Sequence, residues 1–335
     1  MSAEYANVLE AILQELREIK QEMQALRTEL REPNAKRPDK ELPLPSIAEV
    51  KPKTILPIVT AEGVTIENPT DSQVVPAAEV KPPEDGSIKV VQWLESHKIT
   101  VKNYKQQTAA DAIFDQVAIF LGERFDSVRK VHDQIRKTLS TGSSFKVNFS
   151  SCTQEEIANS TQLCTILHEY AFLSSYRYHK TSKTISATPQ RVGNVINFFS
   201  GGWYERFIFL KVIALLKEQK KDHLFLLNPQ IALPSGDDFE LDLFFLVNNE
   251  PVWIECKTGD YQPHIVKYSN VRKTLAIPKE RSVLTILGIP DQLTAQLTNV
   301  YNVVVVNESN FLSQIADIVA GSPVNPEPPQ PPSVI

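Results

Sequence analysis

The stretch VWIECKTGD, Val252 to Asp260, sets a carboxylate and an ammonium two residues apart in a run apolar enough to be buried. Side chains alternate across a strand, so Glu255 and Lys257 leave the same face, with Trp253 beside them. One unpaired buried charge is expensive; two are tolerated only if they pair, bind an ion or shift their pKa values. A second acid of this kind stands in FELDLFFLV, where Asp242 precedes a run of apolar residues. Alternation puts Glu240 and Asp242 on one face of that strand and Phe239, Leu241, Leu243 and Phe245 on the other. A third is Glu205 in GGWYERFIFLKVIALLKEQKK. At helical spacing it falls near the centre of the stripe Ile208, Phe209, Val212, Leu215 and Leu216.

Two carboxylates held close together repel unless a proton or a cation sits between them. With oxygen donors and no His or Cys cluster, the cation such a set calls for is hard, magnesium or manganese. Lys257 then projects beside it, where it can hold a water or a scissile phosphate oxygen. Blander readings exist for the parts. Glu255 and Lys257 alone could be a buried ion pair, and a helix starting slightly later would leave Glu205 as a first-turn acid favouring the dipole. The ion pair accounts for neither Asp242 nor Glu205.

The elements that must position these residues are legible around them. NPQIALP leads through Ser-Gly-Asp-Asp into FELDLFFLV, and that through Asn-Asn-Glu into PVWIECKT, which is the chemistry of a three-stranded antiparallel meander. After Gly259 come a helix, YQPHIVKYSNVRKTLAI, and the strands SVLTILGI and YNVVVVN with DQLTAQLTN helical between them. With the Glu205 helix in front, residues 194–320 read as an α/β sandwich around a mixed sheet. Residues 88–193 read as a helical, winged-helix-like region. AADAIFDQVAIFLGERF and FDSVRKVHDQIRKTL are helices, SFKVNF is a strand, and a further helix opens at Thr153 with Glu156 at capping-box spacing. The hairpin SYRYHKTSKTISATP follows, and it interleaves Tyr176 and Tyr178 with Arg177, Lys180 and Lys183. That composition suits phosphate contact and base stacking in a nucleic acid, the alternative being a solvated hairpin.

Outside these regions the chain changes character. Leu9, Leu16, Met23 and Leu30, with Tyr5, Ile12, Ile19 and Leu26, form a heptad over residues 1–31. Glu15 and Glu22 face Lys20 and Arg27 of a parallel partner, so the expectation is a homo-oligomeric coiled coil; a helix docked on its own protein is the alternative. Residues 32–87 hold ten of the 23 prolines and read as a disordered linker, and 321–335 as a disordered tail. The net charge of −5 argues against a general polyanion binder, whereas residues 121–222 carry 15 Lys/Arg against 9 Asp/Glu. Three scattered cysteines, Cys152, Cys164 and Cys256, and no metal-ligand His spacing argue against a disulfide framework and a zinc site. No apolar run suits a signal peptide or a membrane span, so the expected compartment is the cytoplasm, with no membrane partner. A protein partner is left open.

The helix glutamate, the strand aspartate and the Glu-x-Lys, standing here as Glu205, Asp242 and Glu255-Cys256-Lys257, resemble the core of the PD-(D/E)xK nucleases. The runs GGWYE, ELD and IECKTGD look most like the nuclease half of CRISPR-ancillary, cyclic-oligoadenylate-activated nucleases, over roughly Asp126 to Phe311. Those proteins also carry a winged-helix-like segment before the nuclease. The resemblance implies a restriction-endonuclease-like core and metal-dependent phosphodiester cleavage of DNA or RNA, in a setting of defence against foreign nucleic acid. It implies that Asp242 and Glu255 ligate the metal, helped by the Cys256 carbonyl, and that Glu205 holds a second metal or its water. Lys257 would orient the attacking water and stabilise charge on the phosphorus. The Gln or Lys that the next helix often lends corresponds to Gln262 or Lys267, with Glu240 a further accessory acid. The departure lies in front: a heptad and a proline-rich segment stand where that family has a nucleotide-binding sensor, so ligand gating is not implied. The rival expectation is a non-catalytic adaptor in which the coiled coil assembles and the hairpin binds.

Overall fold

Turn chemistry builds the meander. Asn248 and Asn249 both adopt left-handed backbone, with φ of 52° and 67°, and join β7 (Leu243–Val247) to β8 (Glu250–Lys257) in a two-residue hairpin closed by the Val247–Glu250 pair. Asparagine tolerates that conformation better than any residue but glycine. β5 (His223–Ala232) pairs antiparallel with β7 on the same edge that receives the short β6 (Asp238–Glu240).

The computed structural model describes Glu84–Gly321. The coiled coil expected over 1–31, nearly all of the linker expected over 32–87 and the tail after Gly321 lie outside the described residues. The linker's last residues are not linker: helix α1 already runs from Glu84 to Ser96. β1 (Thr100–Lys105) then pairs antiparallel with β5, although 120 residues and more separate the partners in sequence. Most of α1 and all of β1 fall in the segment assigned to the winged-helix-like region, but β1 is a strand of the main sheet and α1 packs on that sheet. TVKNYK lacks the apolar alternation of a buried strand, and its role as an edge strand explains why.

The sheet has seven strands in the order β1-β5-β7-β8-β9-β10, with β6 beside β5. β9 (Ser282–Ile286) and β10 (Val304–Val306) run parallel to β8, reached through α7 (Ile265–Thr274) and α8 (Asp291–Tyr301). This is a mixed sheet flanked by helices. α1, α7 and α8 cover one face, over Leu226, Phe244, Trp253 and Leu284. The other face, with Phe225, Leu243, Phe245 and Ile254, packs against α6 (Trp203–Glu218) and α9 (Phe311–Ala320).

Between β1 and α6 lie α2 (Asp111–Glu123), α3 (Phe125–Leu139), β2 (Phe145–Asn148), α4 (Gln154–Glu169), β3 (Leu173–His179), β4 (Thr184–Pro189) and the short α5 (Gly193–Asn197). The helix, strand, helix, hairpin order is the one expected. The three strands form their own antiparallel sheet in the order β2-β4-β3. The capping box forms in full: Thr153 Oγ1 accepts the Glu156 N–H at 3.1 Å and Glu156 Oε2 accepts the Thr153 N–H at 2.8 Å. One apolar core nevertheless runs from Val131, Ile135 and Ile185 through Trp203 to Leu243 and Phe311, so no seam separates 88–193 from 194–320. α6 explains this, because it is buried on the side of the sheet and on the side of α2 and α3 alike. Among the described residues no helix is long and apolar enough to cross a membrane.

Candidate active site

The three strand residues that opened the argument converge. The β7–β8 ladder ends at the Leu243–Ile254 pair, and one residue further on the strands part. There side chains replace backbone partners. Asp242 Oδ2 accepts the Cys256 N–H at 2.7 Å, while Glu255 Oε1 accepts both the Asp242 N–H and the Trp253 indole N–H at 3.1 Å. Lys257 Nζ stands 3.5 Å from Glu255 Oε2 and 3.7 Å from Asp242 Oδ2. Asp242 and Glu255 are buried, and Lys257 keeps about a quarter of its side chain exposed, 26%, which makes it the rim of the site.

The electrostatics follow from that placement. Burial pushes the Asp242 carboxyl well above the ordinary carboxylate range, and the Glu255 and Glu205 charges push it further. Burial likewise takes Glu255 up to about 7, against the pull of Lys257 and of the two N–H groups it accepts. For Lys257, burial works against the charge, but the two carboxylates outweigh it and hold the ammonium protonated. The site at neutral pH is one fixed cation beside two carboxyls that keep a proton more readily than free ones do.

Local structure explains why Asp242 can do this. A single regular strand from Phe239 to Val247 was expected, with Phe239, Leu241, Leu243 and Phe245 on one face. The strand breaks at Leu241–Asp242, and the faces exchange there. Phe239 and Leu241 join the core under α7, while Leu243 and Phe245 join the core under α6. Opposite the break, Asn228 of β5 takes φ of 45°, and its own strand exchanges faces at the same level, Leu227 to one side and Ile231 to the other. Asn228 also ties the third acid to the site. Its backbone N–H donates to the Asp242 carbonyl and its Nδ2 to Glu205 Oε2, each at 3.0 Å.

Glu205 lies in the first turn of α6, half-buried, on the angular stripe of that helix's buried residues. The apolar-stripe reading and the first-turn reading therefore both describe it. Among the described residues no three His, Cys, Asp or Glu side chains stand close enough together to form a ready cation cage. The donor chemistry fits a hard cation in part. Asp242 Oδ1 accepts no hydrogen bond within the described residues, while Glu255 Oε2 faces only the Lys257 ammonium at 3.5 Å, so a cation would share that oxygen with the lysine.

A cleft of about 520 Å³ opens beside Glu205, bounded by Lys105, Asp111, Phe114, Asn197, Asn228 and Glu240. Its wall holds a group that composition and spacing did not single out: Arg206 bonded to both Asp111 and Asp115, all three nearly buried. Only the fold joins these residues, since Arg206 lies some ninety positions from its partners. Thr108 bonds the other oxygen of Asp111 through its N–H at 2.6 Å and its hydroxyl at 2.9 Å.

The remaining expected site residues do not join the constellation. Glu240, expected on the face of Asp242, is exposed on β6, where Gln230 Nε2 reaches it at 3.4 Å. Gln262 is exposed ahead of α7, and the Lys267 ammonium sits 4.7 Å over the Phe239 ring. The α7 residue that does reach the site is Tyr268, whose ring centroid lies 5.5 Å from Lys257 Nζ and 6.1 Å from that of Trp253. No spacing rule marks Tyr268 in advance, because it sits at an ordinary apolar position of an amphipathic helix. In the hairpin, Tyr176 and Tyr178 pack inward on the core, with Tyr176 Oη donating to the Thr161 carbonyl at 3.2 Å. Their rings are not free for base stacking. Arg177, Lys180 and Lys183 are exposed.

No protein-family model matches the chain, and no curated protein does. Solved structures do match. Protein VC1899 from Vibrio cholerae is 16% identical with a TM-score of 0.46, over 69% of this chain and 60% of that one. Can2 from Sulfobacillus thermosulfidooxidans, solved with cyclic tetra-adenylate, is 16% identical with a TM-score of 0.48, over 69% and 61%. The chain thus spans about three fifths of either, and a likeness this slight carries neither activity nor ligand across. The fold by itself defines an α/β protein whose mixed sheet parts at one point around two buried carboxyls and a lysine.

Proposed function

We propose that this chain is a nuclease of the PD-(D/E)xK type, hydrolysing phosphodiester bonds with magnesium or manganese in defence against foreign nucleic acid. The observation that carries the reading is the meeting of Asp242, Glu255 and Lys257 where β7 and β8 part. Asp242 would hold the cation through Oδ1 and Glu255 through Oε2, the oxygen that also faces Lys257, with the Cys256 carbonyl beside them and Glu205 serving through water. Bound there, the cation would act as a Lewis acid on the phosphate and lower the pKa of a water. Trp253 and the Asp242 N–H orient the Glu255 carboxylate, leaving one oxygen directed to Lys257. The protonated Lys257 holds the attacking water or a non-bridging phosphate oxygen and stabilises the charge that develops on it. Asn228 holds Glu205 at the edge of the cleft and, through the Asp242 carbonyl, links it to the two buried carboxyls. Exposed Arg177, Lys180 and Lys183 would contact its backbone as part of a winged-helix-like region, and residues 1–31 would pair chains.

The test is incubation of plasmid DNA, single-stranded DNA and RNA with magnesium, manganese or EDTA. Cation-dependent cleavage by wild type and its loss in Asp242→Ala are expected. One observation favours a second reading, a non-catalytic nucleic-acid adaptor: three acids do not yet converge among the described residues. Wild type and Asp242→Ala equally inert on every substrate would decide for the adaptor.

A further inference from the structure

Strand register places a band of uncompensated positive charge on the small sheet. In β2 and β3 the apolar and tyrosyl side chains turn inward and their neighbours turn out. Lys146 of β2 and Arg177 of β3 are both register partners of Ser186 on the central β4, so the three form one row across the outer face. The next row is Asn148, Thr184 and His179, and beyond it the turn supplies Lys180 and Lys183. On the other side of the Ser186 row, Thr188 Oγ1 is bonded by the hydroxyls of Ser144 and Ser175, each at 2.8 Å. None of these outward residues is Asp or Glu. Among the described residues none of the four cations, Lys146, Arg177, Lys180 and Lys183, enters an ion pair; the lysines and arginines elsewhere on the chain often do.

The helix that precedes the hairpin has the opposite character. α4 contains Glu155, Glu156 and Glu169 and no Lys or Arg. A helix seated in a groove between phosphates needs the reverse, since phosphate contacts come mainly from Arg, Lys and small polar groups. Ser186 adds a further sign. Its hydroxyl is buried within this row and has no hydrogen-bond partner among the described residues. Buried hydroxyls are rarely left so, and a phosphate oxygen drawn down between Lys146 and Arg177 would supply the acceptor.

We infer that the outer face of the β2-β4-β3 sheet, and not helix α4, is the surface that grips the sugar-phosphate backbone of a polynucleotide. The grip is independent of base sequence, because contacts from ammonium, guanidinium and hydroxyl groups to phosphate carry no sequence information. This rests on the reading of the chain as acting on nucleic acid, but not on the catalytic role of the acids. The residues it adds are Lys146, His179 and Ser186.

Fluorescence anisotropy tests it with the full chain in EDTA, where nothing is cut, using a labelled 24-base-pair duplex and one of its single strands across a salt series. Each phosphate contact contributes about 0.9 to the slope of log affinity against log salt on duplex DNA. Lys146→Ala with Arg177→Ala is therefore expected to lower the slope by about 2. Lys217→Ala with Lys220→Ala, which removes equal charge from exposed positions on and after α6, should leave it unchanged. All four positions are exposed, so folding should survive, and Arg177→Gln alone gives a milder check with about half the change. Equal effects of the two pairs overturn the inference, as does binding to phosphatidylserine vesicles with none to either nucleic acid. A lowered slope alongside an Asp242→Ala that changes no cleavage would leave this surface standing and remove the catalytic reading. Asp242-dependent cleavage with an unchanged slope does the opposite.

Discussion

Stripping the cation from Glu255 should make the protein's stability fall as pH rises, which is unusual in the acid to neutral range. The carboxyl is 2% exposed and burial takes it up to about 7, from an ordinary 4.5. Below pH 4.5 both folded and unfolded chains hold the proton, and folding is indifferent to it. Between 4.5 and 7 the unfolded chain releases it first, so each pH step favours unfolding, and above 7 the loss is complete. A rise of that size corresponds to ~3 kcal/mol. For a body of this size one kcal/mol moves the melting temperature by about 2–4 °C, so the expected fall is roughly 6–12 °C. The assay is thermal unfolding in EDTA from pH 4.5 to 8 for wild type and Glu255→Gln. The amide keeps an acceptor for Trp253 and the Asp242 N–H but has no charge to desolvate, so the variant should lack this downward component and overtake wild type near pH 7. Excess magnesium or manganese at pH 8 should restore wild type and not the variant, since a cation at a hundredfold excess over its Kd adds about 2.7 kcal/mol. Wild type that tracks Glu255→Gln at every pH would refute the buried-carboxylate reasoning. A pH-dependent loss that neither cation repairs would refute the cation site and leave the trio as a proton-holding ion pair.

Two more expectations follow from particular contacts. Asn228→Gly keeps the left-handed backbone and the bond to the Asp242 carbonyl but removes the amide from Glu205, so cleavage should drop about 10–100-fold with little change in melting temperature; an unchanged rate would mean that Glu205 is not part of the machinery. His132 is almost fully buried among Phe125, Phe199 and Trp203, and burial lowers its pKa to about 4. The unfolded chain protonates at ordinary pH first, so stability should be complete above pH 6.5 and fall by up to ~3 kcal/mol on acidification to about 4. Urea unfolding at pH 7 and 4.5 should show a smaller acid loss for His132→Leu, and equal losses would contradict this.

Much of the molecule was readable before folding because much of it is local. The capping box at Thr153 and Glu156 spans four residues, and the Asn-Asn hairpin spans two, so composition alone specifies both. The Glu255–Lys257 alternation is local too. With it came the expectation that the ionisable pair on β8 meets an acid from the neighbouring strand, because meander strands are adjacent whatever the rest of the chain does.

What alternation does not contain is the point at which it fails. Nothing in FELDLFFLV marks Leu241–Asp242 as the place where the faces exchange, since the matching irregularity lies on the neighbouring strand, at Asn228. A strand's period says which residues share a side only while pairing stays regular. The same limit hid the edge strand β1, the inward turn of Tyr176 and Tyr178, and the approach of Tyr268 to Lys257. Residue types and their near neighbours determined the acids, the lysine and the elements that hold them. Only tertiary packing decided which face each carboxyl took and which distant groups, Asn228 and Tyr268 among them, came to stand beside it, because those contacts join segments that share no hydrogen bond until the sheet is closed.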